Sequence, residues 1–325
     1  MYNQQEVIIM SVGNNIRLRR MELGMTQQEL ASALGYTSRS TIAKIESGEN
    51  DISYAKLMKV AEVLYTDVNR LIGEGTAASE AQEADFISAS DSGTRNVCVI
   101  LAGGKSFRNE QNIPNQFISV RGKPVIIYSL ESYQNHPAIE AIYVVCLKGW
   151  ENMLLSYARE YGITKLRGII APGETGILSA RAAIEHIRPL YSAGDVVILQ
   201  ESTRPFVKAE HISTVLSAAA SSGNAVTSEP MSDYIQFYDT GKAIVNLDRS
   251  RVIAAQAPEA YTFETICALF SEAKKQQLPM TESCCYMMLH ALKKKINFIP
   301  GDRHNIKIVR QEDLLLFAGM LNQQV

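Results

Sequence analysis

Apolar side chains between residues 14 and 71 recur every three or four positions. Because an α-helix repeats every 3.6 residues, this spacing predicts four or five short helices. The apolar positions are Ile16, Leu23, Leu30, Leu34, Ile42, Ile45, Leu57, Ala61, Leu64 and Leu71.

Two turns in this region carry recognisable signals. Thr26 followed three residues later by Glu29 is a capping box, which predicts that a helix begins at residue 27. Gly35 is expected to end that helix, and Ser38 or Ser40 to cap the next one. A helix, a short turn that contains glycine and a second helix together form the helix-turn-helix geometry.

Beyond residue 96 short apolar runs alternate with helical ones, which predicts an α/β domain with a mostly parallel sheet covered on both faces. Runs 234–238 and 243–247 flank Asp239-Thr240-Gly241 and predict a hairpin that projects from the sheet. The predicted strands are 97–101, 142–147, 168–171, 196–200, 225–228 and 296–299. The predicted helices are 125–134, 151–161, 178–187, 211–220, 263–274 and 281–293.

Composition divides the chain into three parts. Residues 11–73 are the predicted helical domain and residues 96–325 the α/β domain. Residues 74–95 are rich in Ala, Ser and acids, and their only large apolar side chains are Phe86 and Ile87. Since such a stretch buries too little surface to offset its ordering entropy, we expect a flexible linker.

Charge and cysteine content narrow the class of protein. The 325 residues include 32 Lys+Arg and 34 Asp+Glu, a formal net charge of -2, which excludes a broadly basic protein that coats nucleic acid. The five cysteines are odd in number and lack zinc-ligand spacing, so we expect reduced thiols in a cytoplasmic protein. We identify no signal peptide, and no apolar run reaches the ~18 residues that span a bilayer.

The helical region resembles a known DNA-binding family. The segments TQQELA (26–31) and STIAKIESG (40–48), with Gly35 between them, resemble the Cro/repressor (XRE) domains across about the first 75 residues. The resemblance implies that the helix from about residue 38 to 46 lies in the major groove and that Gln27 contacts the DNA backbone. The residues it implies for base or phosphate contact are Arg39, Ser40, Thr41 and Lys44. The alternatives are that the cations are simply solvated or that the domain contacts protein.

Few cations in this module can reach phosphate. They are Arg17, Arg39, Lys44 and Lys56, and nearby acids dilute them. Each phosphate contact contributes about -0.9 to the salt dependence of binding, so one module is expected to bind weakly. We therefore predict a dimer on a pseudo-palindromic DNA site.

The first strand of the α/β domain leads into a glycine-rich turn, AGGKSFR (102–108). Glycine allows backbone N–H groups to approach phosphate closely. The turn matches neither a Walker loop nor a dinucleotide fingerprint, and an ordinary strand-to-helix turn remains an alternative.

A series of motifs follows in order: PNQF (114–117), RGKP (121–124), ESTRPF (201–206), DR (248–249), AQAP (255–258) and NIKI (305–308). From residue 96 to about 321 the series resembles the 2-C-methyl-D-erythritol 4-phosphate cytidylyltransferases and the related ribitol-5-phosphate cytidylyltransferases. The resemblance implies a Rossmann-like nucleotidyltransferase fold of the nucleotide-diphospho-sugar transferase type, with a projecting β-arm. It also implies attack of a sugar or polyol phosphate on the α-phosphate of CTP, with Mg²⁺ and release of pyrophosphate.

Site residues carry over from the resemblance position by position. Arg108 and Lys307 are implied as catalytic, Arg204 and Arg249 as holding the acceptor phosphate, and Glu201 as a Mg²⁺ ligand. The nucleotide-binding residues so implied are Ala102, Gly103, Gly104, Lys105, Ser106 and Ser179.

Several positions depart from the family pattern. Asn115 replaces an essential lysine of a Pro-Lys-Gln motif, and the loss of one such preorganised group typically costs ~10²–10³ in rate. Lys105 is a hypothetical substitute for that missing cation. The other departures are Ser106 for a glycine, Glu201 for an aspartate, Gly176 for an arginine, and Tyr234 and Ala257 for threonines.

Three hypotheses follow. We favour a transcription regulator whose degenerate cytidylyltransferase-like domain dimerises and binds a nucleotide or phosphorylated polyol. The second is an active cytidylyltransferase with an appended DNA-binding domain, and the third is a dimerising domain without a ligand. In the family the hairpin crosses to a partner, so the segment 234–247 is implied to build a homodimer through the C-terminal domains.

Overall fold

The computed structural model of the protein describes residues 12–50, 52–64, 66, 68–72, 94–104, 113–232, 235–238 and 244–322. The chain divides into two compact units between residues 91 and 92. This division falls inside the predicted linker 74–95, of which only Thr94 and Arg95 belong to the described residues. The flexible linker therefore stays a prediction.

The N-terminal unit is helical, and its predicted turns are confirmed. Thr26 caps the second helix in a capping box with Glu29, and Gly35 takes the left-handed φ of 78° that follows this helix. Ser38, rather than Ser40, caps the third helix and accepts a hydrogen bond from the Ser40 amide at 3.2 Å. The helices are α1 (Val12–Glu22), α2 (Gln27–Ala33), α3 (Arg39–Ser47), α4 (Tyr54–Val63) and α5 (Val68–Ile72).

The predicted apolar stripe forms the core of this unit, with two exceptions. Leu34 is half-buried, because it lies at the end of α2. Leu23 is 37% exposed, because it follows the last residue of α1 and no longer shares that helix's apolar face. The fully buried members are Ile16, Leu30, Ile42, Ile45, Leu57, Ala61, Leu64 and Leu71.

The C-terminal unit contains a seven-stranded sheet. Its strands are β1 (Asn96–Ala102), β4 (Ala141–Cys146), β5 (Leu166–Ile170), β6 (Val196–Glu201), β7 (Asn224–Pro230), β10 (Ile253–Thr262) and β11 (Phe298–Pro300). The order is β11-β7-β10-β6-β1-β4-β5. All neighbours are parallel except β10, which runs antiparallel to both β6 and β7.

Two short hairpins complete the strands. β2 (Ser119–Val120) pairs with β3 (Lys123–Pro124), and β8 (Ile235–Tyr238) pairs with β9 (Ile244–Leu247). The second pair confirms the predicted hairpin, whose central residues 239–241 lie outside the described residues.

Helices cover both faces of the sheet, and the side chains of β1 point alternately toward one face and the other. Cys98 and Ile100 pack with α6 (Val125–Gln134), α7 (Glu151–Glu160) and α9 (Ala209–Ser222). Val97 and Val99 pack on the other face with α8 (Gly176–Ile187), α10 (Phe263–Lys275) and α11 (Tyr286–Ala291). The last helix, α12 (Gln311–Met320), packs through Phe317 against a separate small cluster.

Several elements differ from the sequence expectation, among them the short strands β2 and β3, which were not predicted. Strand β10 and helix α12 were not predicted, and α11 is confined to residues 286–291 of the predicted helix 281–293. All five cysteines are free thiols, although Cys267 and Cys284 are only half-buried. Among the residues described above, no helix combines the length and apolar character needed to cross a bilayer.

Candidate functional site

The helix-turn-helix presents its predicted contact residues on α3. Arg39, Ser40 and Lys44 are exposed, and Thr41 is half-buried. Within the described part of the chain, neither Arg39 nor Lys44 has an ion-pair partner. Their cationic groups are therefore available to an external anion.

Gln27 lies in a different environment from the α3 residues. Its side-chain nitrogen donates to Glu46 Oε2 at 2.8 Å. Glu46 is buried and also accepts from Arg20, whose Nε and Nη2 lie 2.6 and 3.0 Å away. Arg20 in turn donates to the Met25 carbonyl at 2.6 Å. The Gln27 amide thus connects α2 to the buried ion pair between α1 and α3, and its contact with DNA stays a prediction.

The glycine-rich turn begins at the carboxyl end of β1. Gln116 is buried and donates through Nε2 to the carbonyls of Ala102 and Gly104, at 2.9 and 3.1 Å. A Cβ at Gly103 would come within 2.6 Å of the Pro172 Cβ, so this position has room only for glycine. Lys105, Ser106 and Arg108 lie outside the described residues.

Ser179 joins this edge through the turn before α8. Its hydroxyl accepts a hydrogen bond from the Gly173 amide at 3.1 Å, and Thr175 caps the helix. Because Pro172 contacts Gly103, the start of the glycine-rich turn and the first turns of α8 lie side by side. Two of the predicted nucleotide-binding residues, Gly103 and Ser179, are thereby brought to one edge of the sheet.

A cluster of three charged side chains lies at the same edge. The register of β1 and β6 pairs Leu101 with Glu201. Glu201 Oε2 lies 2.6 Å from Arg204 Nε, and its Oε1 lies 2.5 Å from Lys307 Nζ. Burial raises the pKa of Glu201, but Lys307 and Arg204 outweigh it and hold that pKa below its ordinary value. Glu201 is therefore an ionised, doubly paired carboxylate, and we call these three residues the charged cluster.

The segment after β11 is held against the cluster by its backbone. Arg204 Nη1 donates to the Asn305 carbonyl at 2.7 Å, and Asn305 Nδ2 donates to the Ala257 carbonyl at 2.6 Å. The Ile308 amide donates to the Thr203 carbonyl at 2.8 Å. The buried Asn305 Oδ1 has no hydrogen-bond partner among the described residues. The Arg204 guanidinium is thus hydrogen-bonded to Glu201 and to the backbone near Lys307.

Asn115 and Arg249 are not members of the charged cluster. Asn115 is 3% exposed, and its Nδ2 donates to the Val309 carbonyl at 3.0 Å. Arg249 is exposed in a single 3₁₀ turn after β9, with Nη1 3.5 Å from the Ser232 carbonyl. Tyr234, which directly precedes β8, lies outside the described residues.

Gly176 shows why the family arginine is missing there. A Cβ at Gly176 would lie 2.3 Å from the Ser283 carbonyl oxygen, so the backbone of the segment 280–283 occupies the space of any side chain. Two hydrogen bonds hold this segment: the Ile177 amide donates to the Glu282 carbonyl at 3.1 Å, and Thr175 Oγ1 donates to the Met280 carbonyl at 2.7 Å.

The residue that sequence reasoning missed is Glu259. It is 5% exposed on β10 and accepts hydrogen bonds from the amides of Cys285 and Tyr286 and from the Tyr261 hydroxyl, at 2.9, 3.0 and 2.7 Å. Burial raises the pKa of Glu259, and these three hydrogen bonds oppose that shift. The available signal was its place after Ala257-Pro258, where the Thr-Pro-Gln motif of the resembled family has glutamine.

Metal binding at this edge would depend on a single carboxylate. The described residues contain no group of three or more His, Cys, Asp or Glu side chains that could hold a metal ion. Mg²⁺ commonly binds through one or two carboxylates together with substrate phosphates. Glu201 therefore fits a Mg²⁺ ion that arrives with phosphate, but not a site built from protein ligands alone.

Comparison with known families matches both units. The family described as 2-C-methyl-D-erythritol 4-phosphate cytidylyltransferase matches residues 96–323, and the family described as helix-turn-helix matches residues 16–69.

Curated relatives and a solved structure match the C-terminal unit. A ribitol-5-phosphate cytidylyltransferase of Lacticaseibacillus paracasei is 33% identical over 228 residues, which cover 70% of this chain and 97% of the relative. A protein of the same name from Streptococcus agalactiae is 29% identical, over 69% of this chain and 95% of the relative. The crystal structure of a 4-diphosphocytidyl-2C-methyl-D-erythritol synthase from Anaerococcus prevotii shares the fold, with a TM-score of 0.61 and 20% identity. It covers 70% of this chain and 96% of its own.

Proposed function

The chain belongs to the 2-C-methyl-D-erythritol 4-phosphate cytidylyltransferase family, and because it also carries a helix-turn-helix domain, we propose that it is a DNA-binding transcription regulator. In this proposal the C-terminal domain binds a cytidine nucleotide or a phosphorylated polyol but transfers the cytidylyl group slowly or not at all. The proposal also includes a homodimer formed through the C-terminal domains, with one DNA-binding head on each subunit.

The proposed loss of activity rests on one observation. The position of the essential family lysine holds Asn115, which is buried and bound to the Val309 carbonyl. Transfer of a phosphoryl group depends on cations around the developing charge rather than on covalent help from the protein. A neutral amide bound to the backbone cannot supply that charge.

The charged cluster supports retention of binding. Lys307 is the exposed member, and its ammonium faces the same edge as the glycine-rich turn. Arg204 is engaged by Glu201 and the Asn305 carbonyl, so its role in this proposal is to hold the cluster together. We assign the contact with phosphate to Lys307 and to the undescribed Lys105 and Arg108. The acceptor would bind near the exposed Arg249.

The test of this proposal combines a turnover assay with a binding assay on the full chain. Pyrophosphate release is measured with CTP, Mg²⁺ and either ribitol 5-phosphate or methylerythritol phosphate, and thermal shifts are measured with CTP alone. We expect a thermal shift without appreciable release, and a gain of about 10²-fold in release for Asn115→Lys. Release by the wild type at ordinary enzyme rates would overturn the proposal.

The second candidate is an active ribitol-5-phosphate cytidylyltransferase with a DNA-binding head. The two relatives named above carry that name, and the three members of the charged cluster are already assembled. In this case Lys307→Ala should abolish release from a wild-type rate that is already high. In the favoured case the variant should weaken the CTP-induced thermal shift.

DNA binding is tested separately. A duplex selected from a random library by the full chain should lose affinity for the double variant Arg39→Ala/Lys44→Ala. The matched control is Lys59→Ala, which removes an exposed cation from α4 and should change affinity less than twofold. Equal binding by the α3 variant and the control would refute recognition through α3.

A further inference from the structure

The C-terminal unit carries a concentrated group of cations that the proposed nucleotide site does not use. Five exposed lysines lie at the end of α10 and just after α11, and we call them the lysine patch. They are Lys274, Lys275, Lys293, Lys294 and Lys295.

The two parts of the lysine patch are held together. Lys294 Nζ lies 2.6 Å from Glu272 Oε2, and this ion pair joins the end of α10 to the residues after α11. Lys293 has a left-handed φ of 54°, and the Lys294 amide donates to the Leu289 carbonyl at 2.8 Å. The Lys295 carbonyl accepts from Asn224 Nδ2 at 3.2 Å. The backbone of the patch is therefore anchored to the fold.

Helix dipoles account for part of the patch only. Lysines in the last turn of a helix interact favourably with its carboxyl end, which explains Lys274 and Lys275. The effect falls off within one turn, so it does not explain three consecutive lysines beyond the end of a six-residue helix. Glu272 neutralises one of the five charges, and the remaining like charges repel one another unless an external anion approaches.

The distribution of charge along the chain points to the identity of that anion. Residues 1–95, which contain the helix-turn-helix, have nine basic and thirteen acidic side chains, whereas residues 96–325 have 23 and 21. The helical domain 11–73 itself has eight basic and seven acidic side chains, so its net charge of +1 offers little attraction for DNA, and the excess of positive charge on the other unit is smaller than the patch itself. Duplex DNA carries about one negative charge per 1.7 Å of its axis, which matches a surface of closely spaced lysines.

We propose that the lysine patch is a second DNA-binding surface, which contacts the phosphates that flank the site bound by α3. This inference rests on the proposed DNA-binding function. One chain that holds a duplex at α3 raises the effective concentration of the adjacent DNA for a second surface on the same chain. The patch contributes affinity and no sequence preference, because contacts to phosphate carry no base information.

The experiment measures DNA affinity of the full chain as a function of salt and duplex length. The double variant Lys293→Gln/Lys295→Gln removes two charges whose side chains have no ion-pair or hydrogen-bond partner among the described residues, and it leaves the Lys294–Glu272 ion pair intact. The matched control, Lys148→Gln/Arg159→Gln, removes two exposed charges near α7, on the opposite face of the sheet. The probe is the selected duplex, either trimmed to the segment that α3 protects or extended on both sides.

We expect the patch variant to lose roughly tenfold in affinity for the extended duplex near physiological salt. The slope of log K against log salt should fall in magnitude by about 1.8 per subunit, or about 3.6 for the proposed homodimer on a duplex extended on both sides, since each lost phosphate contact removes about 0.9. Affinity for the trimmed duplex should stay within twofold. The control should match the wild type on both duplexes.

Three outcomes would overturn the inference. The patch variant and the control could behave alike, the loss could be equal on trimmed and extended duplexes, or the patch could bind vesicles of phosphatidylglycerol while extended DNA fails to compete. Loss of binding in Arg39→Ala/Lys44→Ala with no effect of the patch variant would reject the patch and keep the proposed function. The absence of any DNA binding by the wild type would reject both.

Discussion

Replacing Glu259 should loosen the segment that covers the start of α8. The Glu259 carboxylate accepts hydrogen bonds from the Cys285 and Tyr286 amides and from the Tyr261 hydroxyl. These contacts fix residues 284–286, and the neighbouring Ser283 backbone packs against Gly176. Glu259→Ala would leave all three donors without an acceptor, two of them buried and the Tyr286 amide partly buried.

The magnitude follows from counting those donors. Each buried donor without a partner costs roughly 1–3 kcal/mol, and removal of a buried carboxyl group offsets part of the total, so we expect Glu259→Ala to lower the free energy of unfolding by about 3–5 kcal/mol. Glu259→Gln keeps one acceptor oxygen and should cost about 1–2 kcal/mol. Tyr261→Phe removes a single hydrogen bond and should cost about 1 kcal/mol.

Thermal and denaturant unfolding of the full chain measure this series. A loss of 1 kcal/mol shifts Tm by about 2–4 °C in a domain of this size, so Glu259→Ala should lower the Tm of the C-terminal unit by about 10 °C. The exposed Glu264→Gln on α10 is the matched control and should stay within about 0.5 kcal/mol of the wild type. The carboxylate does not anchor this segment if Glu259→Ala has the same Tm as the control, or if Glu259→Gln lowers the Tm as much as Glu259→Ala does.

Three further substitutions test other contacts. Gly176→Ala should lower the free energy of unfolding by about 2–3 kcal/mol, because its Cβ would overlap a backbone carbonyl, whereas Gly194→Ala meets no atom within 4 Å and should be nearly neutral in the same unfolding experiment. The lowered pKa of Glu201 means that its stabilising contribution is complete above the ordinary value of 4.5 and is lost as pH falls through the lower folded value. Acid titration of unfolding should therefore show a shallower loss for Glu201→Gln than for the wild type, and parallel curves would contradict this. Arg20→Ala should cost about 3–5 kcal/mol by leaving Glu46 buried and unpaired, and Arg20→Ala/Glu46→Ala should recover part of that loss; if the double variant is no more stable than the single one, the buried pair is not the cause.

The helix-turn-helix could be predicted almost entirely from sequence, because its signals are local. The capping box at Thr26 and Glu29 and the left-handed Gly35 involve residues only a few positions apart. The prediction that Leu23 belongs to a helix was wrong. The apolar periodicity continues past the end of α1, and only the turn geometry reveals where the helix stops. The buried pair of Arg20 with Glu46 spans 26 residues and leaves no local pattern.

Strand β10 escaped prediction for a related reason. Its sequence contains Pro258, and proline is uncommon inside a strand that has neighbours on both sides. The antiparallel pairing of β10 with β7 shifts register between Gln256 and Glu259, which accommodates the proline, and the pairing with β6 begins only at Glu259. Helix α11 is shorter than its periodicity suggests because residues 280–283 make their backbone hydrogen bonds to the start of α8 instead of to one another.

The sequence predicted which residues belong to the candidate site but not the contacts that they make with one another. The motifs after β1 and β6 were identified through the family resemblance, and the structure brings them together because parallel strands place their carboxyl ends at one edge. The engagement of Arg204 by Glu201 and by the Asn305 carbonyl depends on residues about 100 positions apart, and spacing in the sequence does not encode it.

The charged cluster also indicates how a ligand would enter. Glu201 compensates one of the two charges on Arg204 and Lys307, so the three residues together carry a single positive charge against a nucleotide with several negative ones. A free phosphate must compete with Glu201 for the Lys307 ammonium, whereas phosphate accompanied by Mg²⁺ offers Glu201 a replacement cation. We therefore expect CTP to raise the Tm of the full chain more with Mg²⁺ than with EDTA. Because the replacement cation needs the carboxylate, Glu201→Gln should remove most of this difference, and because phosphate no longer competes with a carboxylate for Lys307, it should increase the effect of CTP in EDTA.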